Sequence, residues 1–162
     1  MSVVLEQPRT LLPGRFEWLM GLYAENYHRL TRLFHPQQLA LGAYRSSLDD
    51  GLDLRLDVLE RHRYTLDLKL TYCFVDDETG HHAPSAQLRM YEDAHLAEVL
   101  ACHPDRRLAR AIGLLRPSRA QFHERVRASS FLNRWLEYLA SQGHSAGTLE
   151  PLPLRAGASA AA

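Results

Sequence analysis

Lysine is nearly missing from this chain. Lys69 is the single lysine among 19 basic residues in a sequence of 162. Cysteine is scarce too: Cys73 and Cys102 are too few for a disulfide framework, which places the chain in a reducing, cytosolic setting. No apolar run approaches the ~18 residues that cross a bilayer. Met1–Leu12 carries Glu6 and Arg9, with no basic stretch followed by an apolar one, so no secretory leader is expected. Missing as well are the G-x-x-x-x-G-K-[ST] and G-x-G-x-x-G phosphate cradles, the G-x-S-x-G nucleophile elbow and any C-x-x-C pair. A standard phosphate cradle is therefore absent, and catalysis is left without an evident nucleophile.

What the chain does contain is alternation. Leu52, Leu54, Leu56 and Val58 are apolar, with Asp53, Arg55 and Asp57 between them. The pattern resumes at Tyr64, Leu66, Leu68, Leu70, Tyr72 and Phe74. A period of two over this length predicts an antiparallel hairpin with one buried and one wet face. Even-numbered residues must face even-numbered ones, or the apolar faces would not match. Val58 opposite Leu66 would set Asp57 against Asp67. Val58 opposite Tyr64 sets Arg55 against Asp67 and Asp53 against Lys69, which charge pairing favours. The expected loop is then Glu60-Arg61-His62. A strand at about 42–48, ended by Asp49-Asp50-Gly51, and another at Ser85–Tyr91 complete a four-stranded antiparallel meander.

The helices follow from a different period. Phe16, Leu19, Met20, Tyr23, Tyr27, Leu30 and Phe34 recur at three- and four-residue steps up to Pro36. A short helix is expected at about 93–101, with Asp93 as its N-cap. A last helix is expected from about Ser118 to Gln142, perturbed at Ala128-Ser129-Ser130 and ended by Gly143. On it Phe131, Trp135, Tyr138 and Leu139 form a core stripe, with Trp135 as the anchor. The fold class is α+β, with N-terminal and C-terminal helices covering Leu54, Leu56, Leu66, Leu68, Leu88 and Met90. Residues 1–13 read as a flexible lead, 14–144 as one domain and 145–162 as a disordered, alanine-rich tail.

Charge is neutral overall but unevenly placed. Residues 47–98 hold twelve acidic and five basic side chains, a balance of −7, while residues 101–135 reach +6. The basic excess comes from Arg106, Arg107, Arg110, Arg116, Arg119, Arg125, Arg127 and Arg134. Arginine binds phosphate and carboxylate through a planar fork, so Arg106, Arg107, Arg110, Arg116 and Arg119 are the candidate anion-binding residues. Phe122 and His123 are placed to stack. No nucleic-acid module matches, and the simpler expectation is that this stretch offsets the acidic strands of its own chain. His95 and Glu98, three apart on the expected helix, and His81-His82 beside Asp76, Asp77 and Glu78 are the two ligand-rich clusters. Neither has the spaced third and fourth ligand of a built site, so no metal and no cofactor is expected.

Several stretches carry a family resemblance. Gln87-Leu88-Arg89-Met90-Tyr91-Glu92-Asp93-Ala94-His95-Leu96-Ala97-Glu98-Val99 resembles the signature of the bacterial YqiB-like family, a domain of unknown function. Leu56–Thr65 resembles that family's hairpin, and Glu25–Leu30 its N-terminal helix. Phe131–Tyr138 with Gly143-His144 resembles its C-terminal helix. The resemblance covers about residues 16–145 and implies no activity. The expected function is that of a cytoplasmic, non-catalytic binding or adaptor module with a protein partner. The alternative is a protein or enzyme for a small phosphorylated ligand or nucleic acid, using Arg106–Arg127. No catalytic residues and no membrane association are expected, and the oligomeric state is left open.

Overall fold

The period of two between residues 54 and 72 becomes two paired strands, and Leu54, Leu56, Val58, Leu66, Leu68, Leu70 and Tyr72 are buried as expected, whereas Tyr64, at the loop, is exposed. In a computed structural model of the chain, the described residues are 2–49, 52–72, 84–103 and 121–153. Helix α1 (Ser2–Phe34) leads to strands β1 (Gly42–Ser46), β2 (Leu54–Arg61), β3 (Thr65–Tyr72), β4 (Ser85–Tyr91) and β5 (Leu96–His103). Helix α2 (Gln121–Gln142) and strand β6 (Leu149–Pro151) follow, the latter after a tight turn at Ala146–Thr148. The strands form one antiparallel sheet in the order β5-β4-β3-β2-β1-β6. The class is α+β, but the sheet has six strands where the sequence predicted four.

Both additional strands correct an expectation. Residues 93–101 are not a helix. Glu92–His95 is a tight turn in which Asp93 Oδ1 accepts its neighbour Ala94's N–H at 3.0 Å, and His95 takes a left-handed φ of 55°. The chain then runs back beside β4, with Leu96 opposite Tyr91 and Ala97 opposite Met90. A bulge on this strand throws Leu100 outward and switches the core-facing side chains from Ala97 and Val99 to Cys102. That switch hid the period of two. Residues 145–153, read as the start of a disordered tail, form the tight turn and β6, which pairs with β1. At the other end, α1 begins at Ser2 and so includes the stretch expected to be a lead.

The β2–β3 register also differs from both pairings considered. Val58 faces Leu68, Asp57 faces Lys69 and Arg55 faces Thr71. A bulge at Leu59 then shifts the ladder, so that Glu60 faces Asp67 and Arg61 faces Leu66. Even still faces even below the bulge, and opposite charges still meet. The extra residue lets the loop move to His62–Tyr64, where no left-handed glycine is needed. Arg61 stays exposed, and its guanidinium donates to the carbonyls of Leu39 at 2.6 Å and Pro36 at 3.2 Å. Asp67 is taken by Arg89 of β4 through two bonds of 2.8 and 3.0 Å. Arg45 and Arg55 lie directly opposite each other, and each leans on an acid of β2 or its lead-in: Asp53 at 3.8 Å and Asp57 at 3.0 Å.

One face of the sheet carries the core. Leu54, Leu56, Val58, Leu66, Leu68, Leu70, Leu88 and Met90 pack against Tyr27, Leu30 and Phe34 of α1 and Phe131, Leu132, Trp135, Leu136 and Leu139 of α2. Each such side chain contributes about 1.5–3 kcal/mol on burial. Helix α2 runs unbroken through Ala128-Ser129-Ser130, since Ser129 faces α1 and its carbonyl accepts the Asn26 amide at 2.9 Å. Gly143, with φ of 103°, ends it as expected: the His144 N–H returns to the Leu139 carbonyl at 3.1 Å.

His144 then ties the C-terminal strand to β1. Its Nδ1 lies 2.6 Å from Ser46 Oγ, and Thr148 Oγ1 lies 2.6 Å from the same hydroxyl. Burial lowers the imidazole pKa below its ordinary 6.5, while Asp53 opposes the shift. The fold therefore favours the neutral ring. The stability this contributes is complete above pH 6.5 and declines as the pH falls from there through the lowered folded value. Urea unfolding should show a lower midpoint at about pH 5 than at about pH 7, and His144→Asn should flatten that difference.

Candidate functional site

The candidate residues singled out in the sequence divide into those the structure describes and those it does not. Arg106, Arg107, Arg110, Arg116 and Arg119 lie outside the described residues, as do Cys73 and the Asp76–His82 loop. Arg125 and Arg127 are described and stand in the first turns of α2. His95 and Glu98 do not share a helix face. His95 stacks on Tyr27 at 5.2 Å between centroids, whereas Glu98 sits on β5 and accepts the Tyr91 hydroxyl at 2.8 Å. Among the described residues no three His, Cys, Asp or Glu side chains are grouped to hold a metal. Cys102 is a free, largely buried thiol, and burial pushes its pKa up to about 12, so it is not a nucleophile at neutral pH.

One constellation looks like a hydrolytic triad on paper. Ser46 touches His144, and the charge of Asp53 reaches the ring. Ser46 is fully buried, however, and its hydroxyl is shared with Thr148. A substrate has no access to it, and the group serves as the clamp on β6.

The feature that sequence reasoning missed is a groove at the β5 edge of the sheet. It is lined by Phe16, Leu19, Met20 and Tyr23 of α1, by Tyr91, Ala94, Leu96 and Glu98 of the β4–β5 hairpin, and by Arg125 of α2, and encloses about 510 Å³. Phe16, expected in the core stripe, is 59% exposed and forms one wall. Leu19, Tyr23 and Val126 form a small apolar cluster beneath it, apart from the main core. The stripe therefore serves two ends. From Tyr27 onward it faces the main core, and before that it faces the groove. The available signal was the continuation of that stripe beyond the length the sheet can cover.

The polar groups of the groove interact with one another. Tyr91 has its phenol pKa raised, first by its bond to Glu98 and then by burial. Tyr23 is raised chiefly by burial and secondly by the Glu98 carboxylate, with the Arg125 charge opposing. Both phenols therefore stay protonated at neutral pH, and that of Tyr91 donates to Glu98. The Ser129 hydroxyl also bears on the Tyr23 phenol, but no hydrogen bond of normal length joins them. Further along α1, Tyr27 donates to Glu92 at 2.8 Å, and Gln37 braces Thr31 at 2.8 Å. These contacts lock α1 onto the β4–β5 turn and fix one side of the groove. Within the groove the one hydroxyl joined to a carboxylate is that of Tyr91, which donates to Glu98.

A protein family described as "Protein of unknown function (DUF1249)" matches residues 29–145. The chain belongs to this family. The match includes the β4–β5 hairpin and Arg125 and stops short of Phe16–Tyr23, so one wall of the groove lies inside the family's segment and the other outside it. Comparison with curated proteins finds no match, and comparison with solved structures finds none. Among the described residues no helix is long and apolar enough to cross a membrane.

Proposed function

We propose that this DUF1249 protein is a non-catalytic binding module that holds a segment of a protein partner in the groove between α1, α2 and the β4–β5 hairpin. The observation that carries this reading is the groove itself: open, mostly apolar, of a size that ligand sites share, and walled by an exposed Phe16. An enzyme for a small anion would instead need an enclosed polar pocket with several arginines converging on it. The resemblance of Gln87–Val99 to the YqiB-like signature supports, as part of this proposal, a bacterial, cytoplasmic protein that acts without a cofactor. The test is a photo-crosslinking residue placed at Phe16 in cells, with a second placed at exposed Leu59 as the control. Adducts to a partner from Phe16 and not from Leu59 are expected. Equal or absent adducts at both sites would reject the groove as the binding surface.

The arginine-rich stretch supports a second reading, since Arg125 and Arg127 continue it into the described part of α2. Reversing Arg106, Arg107 and Arg110 to glutamate separates the two. If the stretch offsets the acidic strands of its own chain, the reversal lowers the melting temperature, and added salt shrinks the loss. If it holds a polyanion, stability is unchanged and nucleic-acid retention is lost, with affinity in the parent protein falling steeply with salt. The first result is expected.

A further inference from the structure

The two charged groups of the groove come from different elements and do not neutralise each other. Glu98 is fixed on β5 by the Tyr91 hydroxyl at 2.8 Å, and Arg125 projects from α2. Among the described residues no ion pair joins them. With them, Phe16, Leu19, Met20 and Tyr23 present an apolar ridge two helical turns long, about 10 Å. At its base Leu19 and Tyr23 are buried against Val126 of α2, a cluster built from two helices with Leu96 of the hairpin packed against it. Two helices and a hairpin around an open apolar floor leave room where a third helix would pack by its ridges.

Building on the binding-module reading, we infer that the occupant is an amphipathic helical segment of a partner protein. Its apolar residues, spaced i, i+3 or i+4, and i+7, seat against Phe16, Leu19, Met20 and Leu96. A carboxylate at one edge of its stripe meets Arg125, and a lysine or arginine meets Glu98. Charge complementarity selects this occupant. A wholly apolar segment would desolvate both charges and leave them unpaired, which is costly. A polyanion would satisfy Arg125 but meet Glu98 with the same sign. A helix in a groove is also a recurrent way of recognising peptides, with anchors at these spacings.

The experiment uses the full chain and two fluorescein-labelled model peptides of roughly 15 residues, long enough to hold a helix. Both carry a leucine stripe. One has Glu and Lys flanking the stripe, and the other has Gln at both places. The charged peptide should bind about tenfold more tightly by fluorescence anisotropy. Arg125→Glu should remove that advantage while leaving the circular dichroism spectrum unchanged, and Phe16→Ser should weaken both peptides. Equal affinity for the two peptides, or an unchanged affinity in Arg125→Glu, overturns the inference, as does failure of both to bind. Each of these outcomes leaves a partner adduct from Phe16 standing, so the binding-module reading survives or fails separately. Crosslinking of Phe16 to a second copy of the chain would also overturn this choice of occupant.

Discussion

Trp135→Ala lowers the free energy of unfolding by about 3–5 kcal/mol, the range for removing a large aromatic side chain from a packed core. Trp135 is fully buried on α2, with Phe131 at 5.7 Å and Tyr72 of β3 at 6.3 Å between ring centroids. It therefore joins helix to sheet at the centre of the main core, and its loss leaves a cavity that two rigid elements cannot close. Against a typical total of about 5–15 kcal/mol, the variant should be marginal at physiological temperature. Urea unfolding at fixed pH would read the change as a lower midpoint with an unchanged slope. Trp135→Phe should recover most of the loss, because a smaller aromatic ring still fills much of the site and the indole N–H, which has no partner among the described residues, is removed. A Trp135→Ala variant as stable as the parent would remove Trp135 from the core.

The second large effect comes from deletion. Removing Asp57 shifts the first half of β2 by one residue against β3, which turns Leu54 and Leu56 to the outer face and brings Asp53 and Arg55 inward. Exposing the leucines costs about 1.5–3 kcal/mol each, and the inward charges add a further penalty. Together these consume the stability of an ordinary domain, so the Asp57 deletion should be unfolded by circular dichroism. Removing Leu59 should behave in the opposite way. Leu59 is the bulge residue, it is 41% exposed, and without it Val58 stays opposite Leu68 while Glu60 stays opposite Asp67. The Leu59 deletion should fold, with only a modest loss as the loop adjusts. If both deletions unfold the protein, the bulge is not where the register shift indicates.

The contrast between these two deletions also explains what could be read in the sequence. The even-numbered leucines, the burial of Trp135 and the cap at Gly143 follow from local pattern, and all three were legible. The register and β5 were not, because each depends on a single bulged residue, Leu59 or Leu100, that no periodicity announces. In β5 the consequence was a wrong element type: Asp93 reads equally well as the acceptor of a turn or as an N-cap. β6 was too short to show a period and contains Pro151. The groove escaped for a different reason. Its apolar wall continues the stripe that covers the sheet, so a sequence pattern cannot show where the sheet ends and the groove begins. The Arg106–Arg119 segment was visible in composition, but its placement lies outside the described residues.

The family match ends at residue 145, whereas β6 starts at Leu149. A chain cut at that limit would lose the strand that pairs with Tyr44–Ser46, and with it the Thr148 half of the His144 clamp. The outer side of β1 would then present unpaired N–H and C=O groups, a template for edge-to-edge association. In the whole chain that position is occupied by a three-residue strand ending in proline, which cannot donate to another ladder. Strand β6 thus guards against self-association, and the shortened protein should form concentration-dependent oligomers in size-exclusion chromatography while the whole chain does not.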